Sequence, residues 1–499
     1  MHAVAPLLAA DRAGSINKNI IRCAGGKDQE NPGYLFSLYK TYSVAMSGSP
    51  LRTEGDINLS ASRTAWYAVI EHPETRQYLD EDARYFLHQS LSTPCLDVLA
   101  SCHDIYLTDI RGKEYMDFHG NNVHQLGYGN AFVLDRVKAQ MDQLAFSPRR
   151  YTNIPAITLA KKLGDLFPGD LKRVLFAPGG SSAISMALKL ARLVTGKHKI
   201  ISVWDSFHGA SLDAIAAGGE RDFRKGMGPL APGVERIPPP TTYRGPFSST
   251  NDSDIAYADY LEYVIEKEGD IGAFLIETMR NTDVQIPSKA YWKKVREICT
   301  RHHVLLILDE IPIAFGRTGK MFAFEHYDIE PDIVCLGKGL GAGVIPMAGI
   351  VARESHNIAA EVSLGHFTFE KSPLGSVAAL AMLEYIEENN LLEKVRDDGR
   401  FMREQLDRLQ QKFPLIGDVR GIGLLWGVEL VKDRKTKEKA VQEAETVMYE
   451  CLQQGLSFKV SQGNVLQLSP PLIITRAQLS AALTILENAL DVASRGISF

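Results

Sequence analysis

The chain has 499 residues, of which 45% are hydrophobic and 23% charged, and its formal net charge is −5. A chain of this length favours two or three domains, because single cores seldom grow beyond about 300 residues. The slight negative charge predicts no surface for nucleic acid, and no run of apolar residues is long enough to predict a membrane span. The six cysteines show neither paired nor metal-ligand spacing, so we expect reduced thiols, no metal site and a cytoplasmic location.

The N-terminal part of the chain divides into two predicted segments. Residues 1–55 are weakly patterned and form an extension, within which Met46 is, as a hypothesis, the native start. Residues 56–125 form an arm with helical patterning and then a hairpin, IYLTDIRGKEYMDF, whose turn is at Gly112. We expect the arm and hairpin to belong to the smaller of two domains.

Residues 126–374 show short apolar strands that alternate with helix-length segments. Strands are predicted at 174–177, 200–205 and 273–277 and in the runs LLILDE, IVCLG and GIVA, and a helix is predicted at 184–192. Residues 215–255, which include PPPTTY, lack this alternation and are predicted to be a long loop or insertion. The alternation predicts an α/β domain in which helices cover both faces of a mostly parallel sheet.

Residues 375–499 differ in character from the segment that precedes them. A long helix is followed by a strand pair in DVRGIGLLWGVEL, another helix, the strand VLQL and a closing helix. This mixture predicts a separate, smaller α+β domain at the C-terminus.

The stretch 304–343, VLLILDEIPIAFGRTGKMFAFEHYDIEPDIVCLGKGLGAG, concentrates the residues that could carry chemistry. One predicted strand ends in Asp309-Glu310, and a second delivers Lys338 among glycines. Ligands collect at the carboxyl ends of strands in open α/β sheets, and a lysine there can bond covalently to an aldehyde once its pKa is depressed. The alternative is two core strands with ordinary surface charges, but the two ends together favour an active site.

The same stretch resembles the class III aminotransferases, which are fold-type I enzymes that depend on pyridoxal 5′-phosphate (PLP). The resemblance rests on DE and FGRTGK followed by PDI and GKGLGAG, and it extends from about residue 105 to the end. It implies a large domain with a mostly parallel seven-stranded sheet and a smaller α+β domain. It also implies a small-molecule amine substrate and a homodimer with shared active sites.

The resemblance implies roles for the cofactor residues. Lys338 would attach the cofactor and remove a proton from the amine-bearing carbon of the substrate, and Asp309 would pair with the pyridine nitrogen. Gly180 and Ser181, at the start of a predicted helix, would bind the phosphate through free N–H groups.

Two further positions match cofactor contacts of the family. Phe207, in the sequence FHG, would stack on the cofactor ring, although a core phenylalanine is the alternative. Thr368 would reach the cofactor phosphate of the neighbouring subunit. The sequence assigns no role to the following residues: Glu310, whose alternative is a backbone hydrogen bond, Arg317, which is expected to be structural, and the histidines His119, His124 and His208.

Four departures separate this chain from ordinary members of the family. Pro312 replaces the glutamine of the motif DEVQ and cannot donate a hydrogen bond. Residues 179–183, GGSSA, lack the glutamate of the family motif, and the segment after Glu277 introduces Arg280. Gln467 replaces the arginine that clamps an α-carboxylate in many members. A transaminase needs such a clamp for its keto-acid partner, whereas a lyase needs only one amine substrate.

These departures resemble the lyase branch of the family, which acts on small amino-alcohol phosphates and phosphonates. The expected reaction converts 1-hydroxy-2-aminoethylphosphonate into phosphonoacetaldehyde and ammonia by proton abstraction and elimination. Arg149, Arg150 and Arg280 are candidate ligands for the phosphonate, although a basic pair before a helix is also typical of a solvated surface. The alternatives are an ω-aminotransferase that uses another carboxylate clamp and a non-catalytic cofactor-binding protein. Retention of both Lys338 and Asp309 argues against the last.

Overall fold

The computed structural model describes residues 61–89, 95–248 and 254–495, so the predicted extension 1–55 lies outside the described part of the chain. The described residues all belong to the unit Leu51–Phe499. Among the described helices, none combines the length and the apolar content that a membrane-spanning segment requires.

The N-terminal arm consists of two helices followed by a small sheet. Its elements are α1 (Ala61–Val69), α2 (Pro73–Tyr85), β1 (Leu99–His103), β2 (Tyr106–Asp109) and β3 (Glu114–Asp117). Strands β2 and β3 pair antiparallel across a turn in which Gly112 has a φ of +84°, so the predicted hairpin is confirmed. The Asp109 carboxylate stabilises the turn, because it accepts hydrogen bonds from the amides of Arg111 and Lys113.

A large sheet occupies the middle of the chain. Its strands are β4 (Leu171–Ala177), β5 (Lys199–Val203), β6 (Val234–Ile237), β7 (Ile271–Glu277), β8 (Leu305–Asp309), β9 (Ile333–Leu336) and β10 (Ala348–Arg353). Their spatial order is β4-β10-β9-β8-β7-β5-β6, and β10 alone among these strands runs antiparallel to its neighbours. The prediction of a mostly parallel seven-stranded sheet is therefore confirmed for the described residues.

Helices cover both faces of this sheet. They are α3 (Ala131–Leu144), α4 (Ile154–Leu166), α5 (Gly180–Thr195), α6 (Leu212–Ala217), α7 (Arg221–Arg224), α8 (Ile255–Glu268) and α9 (Lys289–Arg301). Leu275 and Ile307 pack in one core with α5, whereas Phe274 and Leu306 pack in the other with α9. Successive strand residues point to opposite faces, so the face that packs on α5 also carries the last residues of β7 and β8.

Strand β6 corrects one prediction. It lies inside residues 215–255, which the sequence predicts to be a loop, and it pairs parallel with β5 from Val234 to Ile237. The strand has only four residues, and three prolines follow Ile237 directly. A run this short, bounded by prolines, lacks the long apolar pattern by which the other strands are recognised.

The C-terminal part combines long helices with an antiparallel sheet. Its elements are α10 (Pro373–Glu388), α11 (Leu391–Lys412), β11 (Ile416–Ile422), β12 (Leu425–Asp433), β13 (Glu438–Lys439), α12 (Val441–Gln453), β14 (Leu456–Ser457), β15 (Lys459–Ser461), β16 (Val465–Leu468) and α13 (Arg476–Ser494). The sheet order is β11-β12-β16-β15, with β13 beside β12. Strand β14 pairs parallel with β3, which joins the N-terminal arm to this part of the chain. The boundaries of the two domains, at residues 126 and 375, stay predictions.

Short 3-10 helices complete the described elements. They span Gly120–Asn122, Ala323–His326, Lys338–Gly341 and Glu354–His356. The third of them begins at Lys338, directly beyond the carboxyl end of β9.

Candidate active site

Several chain segments meet at the carboxyl edge of the large sheet. Glu277 and Asp309 are register partners at the ends of the parallel strands β7 and β8. Lys338 lies two residues beyond the end of β9, and Gly180 begins α5 after β4. This edge is where ligands bind in open α/β sheets.

Lys338 has the environment that a nucleophilic lysine requires. Its φ of 44° lies in the left-handed region, which a non-glycine residue adopts only where its surroundings hold it. Burial lowers the pKa of the Lys338 amine, and the negative charges of Asp309 and Glu277 oppose that shift only in part. The neutral amine is therefore available at a lower pH than for an exposed lysine.

Asp309 is held in one orientation by two hydrogen bonds. Its Oδ1 accepts from the amide of Ile311 at 3.0 Å, and its Oδ2 accepts from His208 Nδ1 at 2.8 Å. His208 Nε2 is buried without a hydrogen-bond partner among the described residues. The sequence assigns no role to His208, but in the structure its imidazole positions Asp309.

Glu310, the neighbour of Asp309, points elsewhere and is structural. Its carboxylate accepts hydrogen bonds from Thr278 Oγ1 at 2.9 Å and from the amides of Ala323 and Phe324 at 2.7 Å each. Burial raises the pKa of Glu310 to about 7, although these hydrogen bonds favour its charged form. The alternative that Glu310 accepts hydrogen bonds from neighbouring backbone amides is therefore confirmed.

The start of α5 forms a narrow glycine-lined turn. Ser181 Oγ accepts a hydrogen bond from the amide of Ala210 at 3.1 Å. A Cβ on Gly209, whose φ is +128°, would lie 2.3 Å from that Oγ, and a Cβ on Gly180 would lie 3.1 Å from Ile311 Cδ1. Side chains are thus kept away from the first amides of the helix, which have no partners within the helix and favour an anion.

Phe207 lies between β5 and this turn. Its amide donates to Glu277 Oε1 at 3.5 Å, and its ring contacts that of Phe223 with centroids 4.5 Å apart. Ile311 packs against Gly180 and Gly337 on the other side of the site. Ile311 was not among the predicted site residues, because an apolar residue beside an acidic pair looks like ordinary core.

The residues of this edge fit PLP, a cofactor with an aldehyde, a basic ring nitrogen and a phosphate. Lys338 offers a buried amine for the aldehyde, and Asp309 offers a fixed carboxylate for the ring nitrogen. The glycine cradle at the start of α5, which a Cβ would fill, offers free amides for the phosphate. Each of the three groups of the cofactor therefore has a complementary group on the chain.

Arg280, a predicted substrate ligand, is held in the interior of the chain by its neighbours. Arg280 is buried; its Nη1 donates to Asp283 Oδ1 at 2.8 Å and its Nη2 to the Asp205 carbonyl at 2.5 Å. Burial lowers the pKa of Arg280, but the charges of Asp283 and Glu277 outweigh that effect and raise it overall. Two of its donor groups are thus already engaged.

Three residues lie at the surface of the single chain. Arg149 is half-buried and Arg150 exposed in the turn before α4, and Thr368 is exposed in the segment before α10. None of them makes a hydrogen bond or an ion pair with another described residue. The structure therefore does not bring these three into contact with Lys338 in one chain.

The position of the family's carboxylate clamp is buried and uncharged. Gln467 lies in β16, opposite Gly427 of β12 and Lys459 of β15. Its side chain is fully buried, and neither its oxygen nor its nitrogen has a partner among the described residues. An amide here can form a hydrogen bond with a polar substrate group. It lacks the guanidinium group of an arginine, which binds a carboxylate through two parallel hydrogen bonds.

Comparisons with known proteins agree with this geometry. The profile of the family described as Aminotransferase class-III matches residues 91–490. The chain is 56% identical over 460 residues to the (R)-1-hydroxy-2-aminoethylphosphonate ammonia-lyase of Vibrio splendidus strain 12B01, which covers 89% of this chain and 96% of that enzyme. This similarity confirms the predicted resemblance to the lyase branch.

Other relatives carry out different reactions. The chain is 34% identical over 432 residues to the leucine/methionine racemase of Thermococcus litoralis, covering 84% of this chain and 96% of that enzyme. The solved taurine:2-oxoglutarate aminotransferase of Bifidobacterium kashiwanohense, in complex with PLP and glutamate, superposes with a TM-score of 0.80 at 28% identity, covering 86% of this chain and 100% of that one. The predicted α/β, fold-type I architecture is confirmed, and this chain belongs to the class-III aminotransferase family.

Proposed function

We propose that this chain is a PLP-dependent ammonia-lyase that converts 1-hydroxy-2-aminoethylphosphonate into phosphonoacetaldehyde and ammonia. The observation that carries the proposal is the 56% identity to a lyase of that name over 96% of its length. The family alone does not decide the reaction, since its members include racemases and aminotransferases. The neutral Gln467 favours the lyase over an ω-aminotransferase, because no charged clamp for a keto acid stands at that position.

The carboxyl edge of the large sheet would hold the cofactor. Lys338 would attach it, Asp309 would pair with its ring nitrogen, Gly180 and Ser181 would bind its phosphate, and Phe207 would cover one face of its ring. When bound, PLP withdraws electrons from the carbon that bears the substrate's nitrogen, so that a proton can leave that carbon.

Lys338 performs the proton transfer that starts the reaction. Its Nζ takes the proton from the amine-bearing carbon, and burial favours the neutral form that can do so. The 2.8 Å hydrogen bond from His208 fixes the orientation of the Asp309 carboxylate, which would pair with the ring nitrogen. The chain thus supplies a base and a fixed anion on adjacent strand ends.

The substrate's phosphonate is a dianion and requires cationic ligands. Arg280 lies at the end of β7, although its Nη1 and Nη2 are engaged by Asp283 and Asp205. Arg149 and Arg150 make no ion pair with a described residue, so their donors are free for a phosphonate. We propose that Arg149 and Arg150 bind the phosphonate directly, and that the buried Arg280 adds a positive charge nearby.

These surface arginines would act in a homodimer with shared active sites. Exposed apolar side chains surround them: Ile154 is 80% exposed, Tyr151 68% and Phe369 57%. A second copy that covers this surface would carry Arg149, Arg150 and Thr368 to its neighbour's cofactor. A cytoplasmic location agrees with the cysteines of the described residues, all of which are free thiols.

The experiment that tests the proposal supplies the amine alone. Purified enzyme loaded with PLP is incubated with 1-hydroxy-2-aminoethylphosphonate, and ammonia and aldehyde are measured over many turnovers. The lyase sustains the release of both without any keto acid. A single stoichiometric turnover that needs pyruvate or 2-oxoglutarate to continue would show an aminotransferase instead.

A further inference from the structure

The proposed reaction breaks two bonds on adjacent carbons. Lys338 takes the proton from the carbon that bears nitrogen, and the C–O bond on the neighbouring carbon must then break. Hydroxide is a poor leaving group at neutral pH, so the oxygen needs a proton as it departs. A second acidic group close to Lys338 would supply it.

We propose that Glu277 is a catalytic residue that donates its proton to the departing hydroxyl group. This inference rests on the proposed lyase function and deepens it, because nothing in the comparisons gives Glu277 a role. The proposal stands on the position of the carboxyl group, on its hydrogen bonds and on its charged neighbours.

The position of Glu277 places its carboxyl group on the active-site face of the sheet. Glu277 ends β7 and is the register partner of Asp309 on the parallel strand β8, so both side chains leave the sheet on the same face. Glu277 and Asp309 are the two acidic groups near enough to Lys338 to influence the pKa of its amine. Glu277 is only 6% exposed, so bulk water does not compete for its proton.

Hydrogen bonding separates Glu277 from the other two acids at this edge. Asp309 is tied to the His208 side chain, and Glu310 is tied to Thr278 and two amides. Glu277 accepts only from the backbone, at 3.5 Å from the amide of Phe207 and at 3.1 Å from that of Asn281. Among the three acids it is therefore the one whose carboxyl group has no side-chain partner among the described residues.

The electrostatic surroundings let Glu277 hold a proton. Burial raises the pKa of Glu277, and the charge of Asp309 adds to this, whereas Arg280, His208 and the amide of Asn281 oppose it without cancelling it. The titratable and charged groups that face Glu277 are Arg280, His208, Asp309, Lys338 and Glu220. The raised pKa lets Glu277 keep its proton to a higher pH than an exposed glutamate would, which favours the role of proton donor.

The atoms and electrons of the step balance. The C–H electron pair forms the new carbon–carbon double bond while the proton goes to Lys338 Nζ. The C–O pair leaves with the oxygen, which takes the Glu277 proton and departs as water, and Glu277 becomes a carboxylate. The released enamine becomes an imine by proton transfer to carbon, and one water hydrolyses it to the aldehyde and ammonia. The water produced equals the water consumed, and proton return restores both residues.

The test compares two bond-breaking steps in Glu277→Gln, which keeps the size and one acceptor oxygen of the side chain but has no acidic proton. Ammonia release from the hydroxyl substrate should fall at least about 100-fold. Solvent deuterium exchange at the amine-bearing carbon of 2-aminoethylphosphonate, which has no leaving group, needs only Lys338 and should be unchanged. A substrate with fluoride in place of the hydroxyl needs less acid assistance and should restore most of the elimination. Glu450→Gln is the matched control, since Glu450, on α12, is also 6% exposed but does not face the active site, and it should alter none of these rates.

Each other outcome would overturn the inference. If Glu277→Gln lost deuterium exchange together with elimination, Glu277 would be a positioning residue. If it kept elimination of the hydroxyl group, no proton from Glu277 would be needed. If the unmodified enzyme released no ammonia from either substrate, the proposed function itself would fail, and Glu277 with it.

The pH dependence of the unmodified enzyme tests the proposal even if the Glu277→Gln variant does not fold. Because the acid must be protonated, ammonia release from the hydroxyl substrate should decline as pH rises through the raised pKa of Glu277. Release from the fluoride substrate should not show that decline. Identical pH profiles for the two substrates would contradict the proposal.

Discussion

The two halves of the proposed active site are built in opposite ways. The inner half, at the carboxyl edge of the large sheet, contains Lys338, Asp309 and His208, whose positions are held by burial and by hydrogen bonds within one chain. The outer half contains Arg149, Arg150 and Thr368 on a surface with exposed apolar side chains. One chain therefore carries the groups proposed for proton transfer and cofactor binding, whereas the two surface arginines proposed to bind the phosphonate are expected to act on the site of a second chain.

The largest effect should come from the inner half. Lys338→Ala removes both the cofactor attachment and the base, so we expect activity to fall by at least about 10⁴-fold. The visible absorbance of the lysine-bound cofactor should vanish as well. Lys432→Ala, at an exposed lysine paired with Glu438, is the control and should change neither. An unchanged cofactor spectrum in Lys338→Ala would remove the assignment of the inner half.

The next largest effect should come from the apolar surface of the outer half. Ile154→Asp places a charge on a side chain that we expect to be buried against a second copy. In a two-fold dimer both subunits carry the substitution, so the free energy of dimer formation should become less favourable by about 4 kcal/mol. Analytical ultracentrifugation would show dissociation, and activity should fall with dilution. Val441→Asp is the control, since Val441 is an exposed apolar residue on α12; equal behaviour of the two variants would contradict the proposed interface.

The buried ion pair between Arg280 and Asp283 can be compared with an ion pair at the surface. Arg280→Ala leaves Asp283 buried without its partner, so the free energy of unfolding should drop by about 3 kcal/mol. Arg173→Ala removes an exposed pair with Glu354 and should cost much less, because solvent and salt screen an exposed ion pair. Denaturant titrations measure both. Equal losses in the two variants would mean that the Arg280 pair is not a buried structural element.

The smallest effect should come from a single phosphate contact. Thr368→Ala should weaken PLP binding about 10-fold, the cost of one hydrogen bond to a charged group. The loss should appear only under conditions in which the dimer persists. Thr446→Ala, on α12, is the matched control. A PLP affinity that does not change in Thr368→Ala would remove this residue from the shared site.

Much of the inner half could be predicted from the sequence because its signals are local. Each buried strand is an apolar run, and Asp309 and Lys338 stand directly at the ends of two such runs. The same pattern gave the mostly parallel sheet. The sequence does not predict strand β6, because four residues before a run of prolines form too short an apolar pattern.

The contacts that orient these groups could not be read from the chain. His208 and Asp309 are 101 residues apart, and nothing in the spacing of FHG indicates a bond to a distant carboxylate. Asp309 and Glu310 are adjacent, yet their side chains point in different directions, Asp309 to His208 and Glu310 to Thr278. Arg280 could be recognised as unusual, but its pairing with Asp283 depends on how the segment beyond β7 folds back.

Phosphorus NMR of the product tests the central claim, the lyase reaction, most directly. The enzyme loaded with PLP is given 1-hydroxy-2-aminoethylphosphonate in deuterated water without any keto acid. We expect continued formation of phosphonoacetaldehyde that has lost the hydroxyl group and carries deuterium on the carbon next to phosphorus. A product that keeps the hydroxyl group on that carbon, formed only once per active site, would contradict it.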